Sequence, residues 1–205
     1  MTRITHRRPT SSATTVHSPL GPVHRTVATV ALALLGLLAA SPAAANTVTK
    51  SSAGTCVDAT GIGTFTWSTP ANAQASDNAY STAAFSGNND ASHFLKCTGF
   101  GFSLPSNSLI QGIQVEWEYK NATSGTIIDN AIRVVKGGTI GTTDKKSSAG
   151  WPATDTFVSY GGSSDLWGDS WTASDINGSS FGAALSTVQA SGGSHTASVD
   201  SVRIT

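Results

Sequence analysis

The stretch "FLKCTGFGFSLPSNSLIQGIQVEWEY", residues 94–119, restricts the fold of this chain more than any other. It holds two apolar runs separated by a polar corner that carries Pro105, and its second half alternates strictly. Ile113, Val115, Trp117 and Tyr119 interleave with Gln114, Glu116, Glu118 and Lys120. Successive side chains of a β-strand leave opposite faces, so this period of two describes a strand with one face in a core and the other in water. The reading is a strand over residues 112–120, preceded by another over residues 93–102.

Composition extends the reading to most of the chain. Gly, Ser, Thr, Ala and Asn dominate, Leu is scarce and Glu occurs only at 116 and 118, so strong helix formers are missing while turn residues recur about every ten positions. Further strands are read at residues 79–86, 126–136 and within "DTFVSYGG", with a shorter one in "TFTW" at residues 64–67. "FGAALSTVQA" and "ASVDSVRIT" read as a closing antiparallel pair joined by the glycine turn "SGGSH". Residues 137–150 read as an exposed loop or hairpin. Thr172, with Asp175 three positions on, can cap a single short helical turn. With no fixed-period repeat, the expected fold is all-β: an antiparallel two-sheet β-sandwich of eight or nine strands in jelly-roll order.

The first 45 residues look like an export signal. Arg3, Arg7, Arg8 and Arg25 form a basic leader, residues 27–40 are apolar, and "SPAAA" ends at Ala45 with the small residues a signal peptidase takes. An apolar run of about 14 residues is too short to cross ~30 Å of hydrocarbon. The expected organisation is a signal peptide over 1–45, a flexible lead-in over 46–63, with an irregular first strand as the alternative there, and a β-sandwich domain over 64–205. Cleavage removes four of the twelve Lys and Arg and none of the twelve Asp and Glu, leaving a net charge of about −4. Without a basic stripe the chain is not expected to bind nucleic acid, nor to insert into a membrane once the leader is gone.

Cys56 and Cys97 are the only cysteines, and an even count in an exported chain predicts a disulfide between them. The alternative is two buried thiols packed as small hydrophobes.

The candidate ligand-binding residues lie in one turn-rich region. Trp151, Trp167 and Trp171 fall within 21 residues, with Tyr160 among them and Asp165 and Asp169 alongside. Flat aromatic faces beside acceptors suit sugar rings, whereas the competing reading has the same rings plugging the end of the sandwich. Glu116 and Glu118 invite a glycosidase reading, but adjacent carboxylates on one strand face cannot flank a glycosidic bond. His93 and His195 lie in no nucleophile motif. No cofactor is expected. A structural calcium is the alternative, because Asp77, Asn78, Asp90, Asp129 and Asn130 offer hard oxygen ligands, although turn hydrogen bonding accounts for such residues equally well. Asn121-Ala122-Thr123 and Asn177-Gly178-Ser179 match glycosylation acceptors.

Several strings occur together: "WSTPANAQASDNAYSTA", "FLKCTGFGFSLPSNSLIQGIQVEWE", "IIDNAIRVVKGGTIG", "YGGSSDLWGDSWTASDINGSSFGAAL" and "ASVDSVRIT". On them, residues 67–205 resemble a family of uncharacterised jelly-roll-like β-sandwich domains of exported bacterial proteins and of phage tail or virion-associated proteins. Trp67, Gly99, Phe100, Pro105, Gly112, Asp129, Arg133, Gly161, Asp165, Trp167, Trp171, Asn177, Phe181, Gly182 and Asp200 carry the resemblance. It implies fold and setting and brings no catalytic residues. Cys97 stands where relatives are expected to have a small residue, which would make the disulfide particular to this chain.

The functional expectation is a secreted, cell-surface or periplasmic β-sandwich that acts as a non-catalytic structural or adhesive module. The alternatives are a carbohydrate-binding module using the loop tryptophans and, behind it, a secreted hydrolase. The expected partner is a protein or a glycan. Self-association is a further expectation, motivated by the unfinished alternation of the last strand at Thr205.

Overall fold

The computed structural model describes residues 46–121 and 126–205. The leader read as a signal peptide and residues 122–125, which include Ala122 and Thr123 of the first glycosylation acceptor, lie outside them. Among the described residues nine strands form two antiparallel sheets: β1 (Thr55–Ala59), β3 (Phe94–Thr98), β8 (Gly182–Gln189), β5 (Ile127–Lys136) and β6 (Thr139–Ile140) in that order in one, and β2 (Ser81–Phe85), β9 (His195–Ile204), β4 (Ile113–Asn121) and β7 (Thr156–Gly162) in the other. With β1 set aside, the remaining eight pair first with last and inward from there: β2 with β9, β3 with β8, β4 with β7 and β5 with β6. That is a long hairpin rolled across two sheets, the jelly-roll order the composition and patterning predict.

β4 shows why the fold forms. Its buried positions are the alternating set read from the sequence, and Val115 and Trp117 are fully enclosed between the sheets with Leu95, Ile132, Leu185 and Val202. Two strands change phase partway. In β5 the register shifts between Asp129 and Ala131, so Ile127 and Asp129 face inward before the bulge and Ile132 and Val134 after it. In β9 the extra residue is Asp200: Ala197 and Val199 face the core before it, Val202 and Ile204 after it. A β-bulge adds one residue to one strand and so moves every later side chain to the other face.

Among the described residues helix is confined to a 3-10 turn, Pro70–Gln74, and the five-residue α1, Ala173–Asn177. The capping box read from the sequence is present: the Thr172 hydroxyl accepts from the Asp175 backbone N–H, and the Asp175 carboxylate accepts from the Thr172 N–H. Among the described residues no helix is long and apolar enough to cross a membrane.

Four expectations need correction. The flexible lead-in contains β1, held at the sheet edge because Cys56 and Cys97 are direct cross-strand partners joined by a disulfide, and because Ala59 and Ile62 pack on Phe94, Ala131, Val135 and Ala184. "TFTW" forms no strand and makes only isolated bridges at Phe65 and, just beyond it, Ser68, with Trp67 buried by a bond from its indole N–H to the His93 carbonyl. β8 and β9 are not a hairpin. β8 is buried almost throughout and β9 over most of its length, and each gains neighbours on both edges by lying in the middle of a different sheet, with "SGGSH" crossing between them. Finally, β9 is flanked by β2 and β4, and Ile204 also bridges Lys50, so the last strand presents no free edge for self-pairing.

Candidate functional site

The aromatic residues singled out in the sequence separate into two groups at opposite ends of β4. At the Tyr119 end, Trp151 stacks on the Tyr119 ring, centroids 3.9 Å apart and planes 9° from parallel. The Trp151 indole N–H donates to Asp129 Oδ1 at 2.9 Å, and the Tyr160 hydroxyl donates to Asp129 Oδ2 at 2.8 Å. The Ser147 backbone N–H donates to the same Oδ2 at 2.9 Å, and the Tyr119 and Tyr160 hydroxyls lie 2.7 Å apart. Asp129 lies in phase with Ile127 on the inward face just before the β5 bulge, where it is 3 % exposed. Burial pushes its carboxyl above the usual Asp range, against the three donors that favour the charged form. Burial, with the Asp129 charge beside it, likewise pushes the Tyr160 and Tyr119 hydroxyls far up, so both stay protonated donors.

At the Ile113 end, Trp167 is 2 % exposed and its indole N–H donates to the Ile113 carbonyl at 2.8 Å. Its backbone is left-handed at φ 54, a conformation a bulky residue adopts only when its surroundings over-determine it. Those surroundings are the Asp165 carboxylate, which accepts from the Trp167 backbone N–H, and Gly161, where a Cβ would stand 2.7 Å from the indole nitrogen. Lys145 pairs with Asp165 at 2.8 Å, lies over the Trp167 ring and holds the Asp165 carboxyl below its usual range. Trp171 packs edge-on against Phe181 and donates to the Leu166 carbonyl, while Lys136 lies over its ring and reaches Asp169 and Asp175.

This geometry places the candidate ligand-binding aromatics inside the protein. Trp151, Tyr160, Trp167 and Trp171 are buried, and each indole or phenol donor already has an acceptor within the protein. Asp165 and Asp169 face lysines rather than an open cleft. Along β4 the Trp151 contact is at Tyr119 and the Trp167 contact at Ile113, with Tyr160 opposite Val115 between them. Stacking on a ligand needs an exposed ring face, and these faces are covered.

The carboxylates divide similarly. Glu116 accepts two bonds from the Arg203 guanidinium, at 2.7 and 2.9 Å, and a third from Ser159, and Arg203 lowers its carboxyl below the usual Glu range. The Arg203 guanidinium lies over the Phe157 ring. Glu118 stands on the same outward face and forms no such pair. Of the residues considered for calcium, Asp90 accepts from Ser86 and Gly87, Asp77 accepts from the Ala79 N–H, Tyr80 donates to Asn78, and Asp129 has the three donors above. Asn130 donates to Ser186. Among the described residues no three Asp, Glu, His or Cys side chains are grouped as metal ligands. His93 pairs with Asp58 at 2.8 Å, tying β1 to the approach to β3.

Sequence reasoning missed the parts of Tyr119 and Arg203 and the inward placement of Asp129. The visible signal is the break in alternation at Asp129–Asn130 and at Asp200–Ser201, where an apolar residue is expected and a polar one stands. Compared with known proteins, the chain matches no family model, no curated protein and no solved structure.

Proposed function

We propose that this protein is an exported, non-catalytic structural or adhesive β-sandwich module acting at the cell exterior. The observation that carries the reading is the internal use of its aromatic residues: four large rings in turn-rich sequence are locked by hydrogen bonds to Asp129, Ile113 and Leu166. A binding module needs such rings on its surface, whereas a module that must hold its shape gains from burying them at both ends. The Cys56–Cys97 disulfide and the basic, then apolar, then small-residue leader support export. Glu116 is neutralised by Arg203 on an outward sheet face, an arrangement that supports a non-catalytic role.

The test coats the purified protein on a surface and measures retention of whole cells and envelope fractions, beside a glycan array and a reducing-sugar release assay. Retention of a protein-bearing fraction, with no saturable glycan and no turnover, is the expected result. Saturable binding to a defined glycan, or release of sugar, would overturn the reading.

A further inference from the structure

The outer face of the four-stranded sheet holds a polar group unconnected with the aromatic locks. Across β4 and β9, Glu116 stands opposite Arg203 and Glu118 opposite Ser201, and the Glu116–Arg203 contact identifies this face as the outward one. Next along β9 is Asp200, the extra residue of the bulge, 1 % exposed, whose Oδ1 accepts from the Asp77 backbone N–H at 3.3 Å. The loop that carries Asp77 continues to Tyr80, whose hydroxyl reaches Asp155 Oδ2, as does the Lys120 ammonium.

Three oxygens in this group are buried and lack any hydrogen-bond partner: Glu118 Oε2, Asp155 Oδ1 and the hydroxyl of Ser201, a residue itself 1 % exposed. Buried oxygens without donors are costly, and carboxylate oxygens most of all. The charge is unbalanced too. Among the described residues, Glu116, Glu118, Asp155 and Asp200 are set against Lys120 and Arg203, an excess of two negative charges. Burial pushes the Asp200 carboxyl up, and the charges of Glu118 and Asp155 add to the effect. Water supplies donors but leaves the charge excess in place, whereas a hard cation answers both needs.

We infer that Glu118, Asp200 and the Ser201 hydroxyl form a binding site for a divalent cation of the calcium class, with water filling the remaining positions. The site has two carboxylates rather than a converging set of three, in keeping with the absence of such a set among the described residues. A ligand count this low places the affinity at the weak end of protein calcium sites, on the order of 10⁻⁴–10⁻³ M. The cation would tie the loop at Asp77 to the middle of the sheet.

The test is thermal unfolding of the protein in EDTA, in CaCl₂ and in NaCl of matched ionic strength, for wild type, Glu118→Gln and Ser201→Ala. Calcium is expected to raise the wild-type midpoint by roughly 3–6 °C for each tenfold excess over its dissociation constant, with no equal effect of NaCl. Glu118→Gln should abolish the calcium response yet unfold in EDTA at or above the wild-type midpoint, because a like charge beside Asp200 is gone; Ser201→Ala should weaken the response. A wild-type midpoint unmoved by calcium, an equal shift in NaCl, or an undiminished response in Glu118→Gln would overturn the assignment.

Discussion

Replacing Asp129 by alanine is the most exacting test of how this sandwich is held together. The substitution removes the acceptor shared by the Trp151 indole, the Tyr160 hydroxyl and the Ser147 N–H. The Trp151 and Tyr160 donors lie in the buried interior, at about 1–3 kcal/mol for each donor left without a partner. Tyr160 keeps its contact with Tyr119, and loss of a desolvated carboxylate returns part of the cost. The net loss is about 3 kcal/mol, a fall in midpoint of roughly 6–12 °C for a domain of this size. Urea unfolding followed by far-ultraviolet circular dichroism measures it without relying on Trp151 itself. Tyr160→Phe should lose about 1–2 kcal/mol, and the double variant should lose less than the two single losses together, because both act on one network. A loss below about 0.5 kcal/mol in Asp129→Ala, or strict additivity in the cycle, would refute the argument.

Four further outcomes are expected. Opening the Cys56–Cys97 bridge, which closes a separation of 41 residues, should cost about 4 kcal/mol by chain entropy, read as a lower urea midpoint in a Cys56→Ala/Cys97→Ala variant; buried as it is, the bridge should resist reduction by added dithiothreitol until the protein unfolds. Gly182→Ala should leave little folded protein on a native gel, since a Cβ there would stand 1.9 Å from the Cys97 carbonyl oxygen in the neighbouring strand. Trp167→Ala should cost about 3–5 kcal/mol by calorimetry, with the relief of its left-handed backbone recovering only a part. Acid titration should separate two signs. Asp129 has a raised folded pKa, so its contribution is full below the ordinary Asp range and is lost as pH rises through the folded value. Glu116, Asp165 and Asp175 have depressed folded values, so theirs is present at neutral pH and is lost as pH falls through those values. Glu116→Gln should therefore differ from wild type by under about 1 kcal/mol at pH 7, as for any solvent-screened pair, with the difference vanishing in acid.

Much of the fold can be read locally. The alternation of β4, the disulfide and the capping box at Thr172 each depend on residues a few positions apart or on composition, and each is present as read. The pairing of β8 and β9 was misread because adjacency in sequence suggests a hairpin, whereas burial on all sides demands two neighbours apiece, which only non-local partners supply. The loop tryptophans were ambiguous for a different reason. An indole that stacks on a ligand and one that plugs a core have the same local sequence, and only the partners at Asp129, Ile113 and Leu166 tell them apart. The bulges left a trace that simple alternation overlooks, since one inserted polar residue looks like noise until the phase on either side is compared.

The pairing of first strand with last governs the order in which the chain can fold. Within its sheet β2 has β9 as its sole neighbour, more than a hundred residues later, and β4 needs the same strand along one whole edge. A chain appearing N-terminus first therefore carries β2 and β4 incomplete until residues 195–204 are free, and such long-range closure is slow. Whatever handles the chain before residues 195–204 have emerged meets the four-stranded sheet still open, and the sandwich locks only when its last strand is in place.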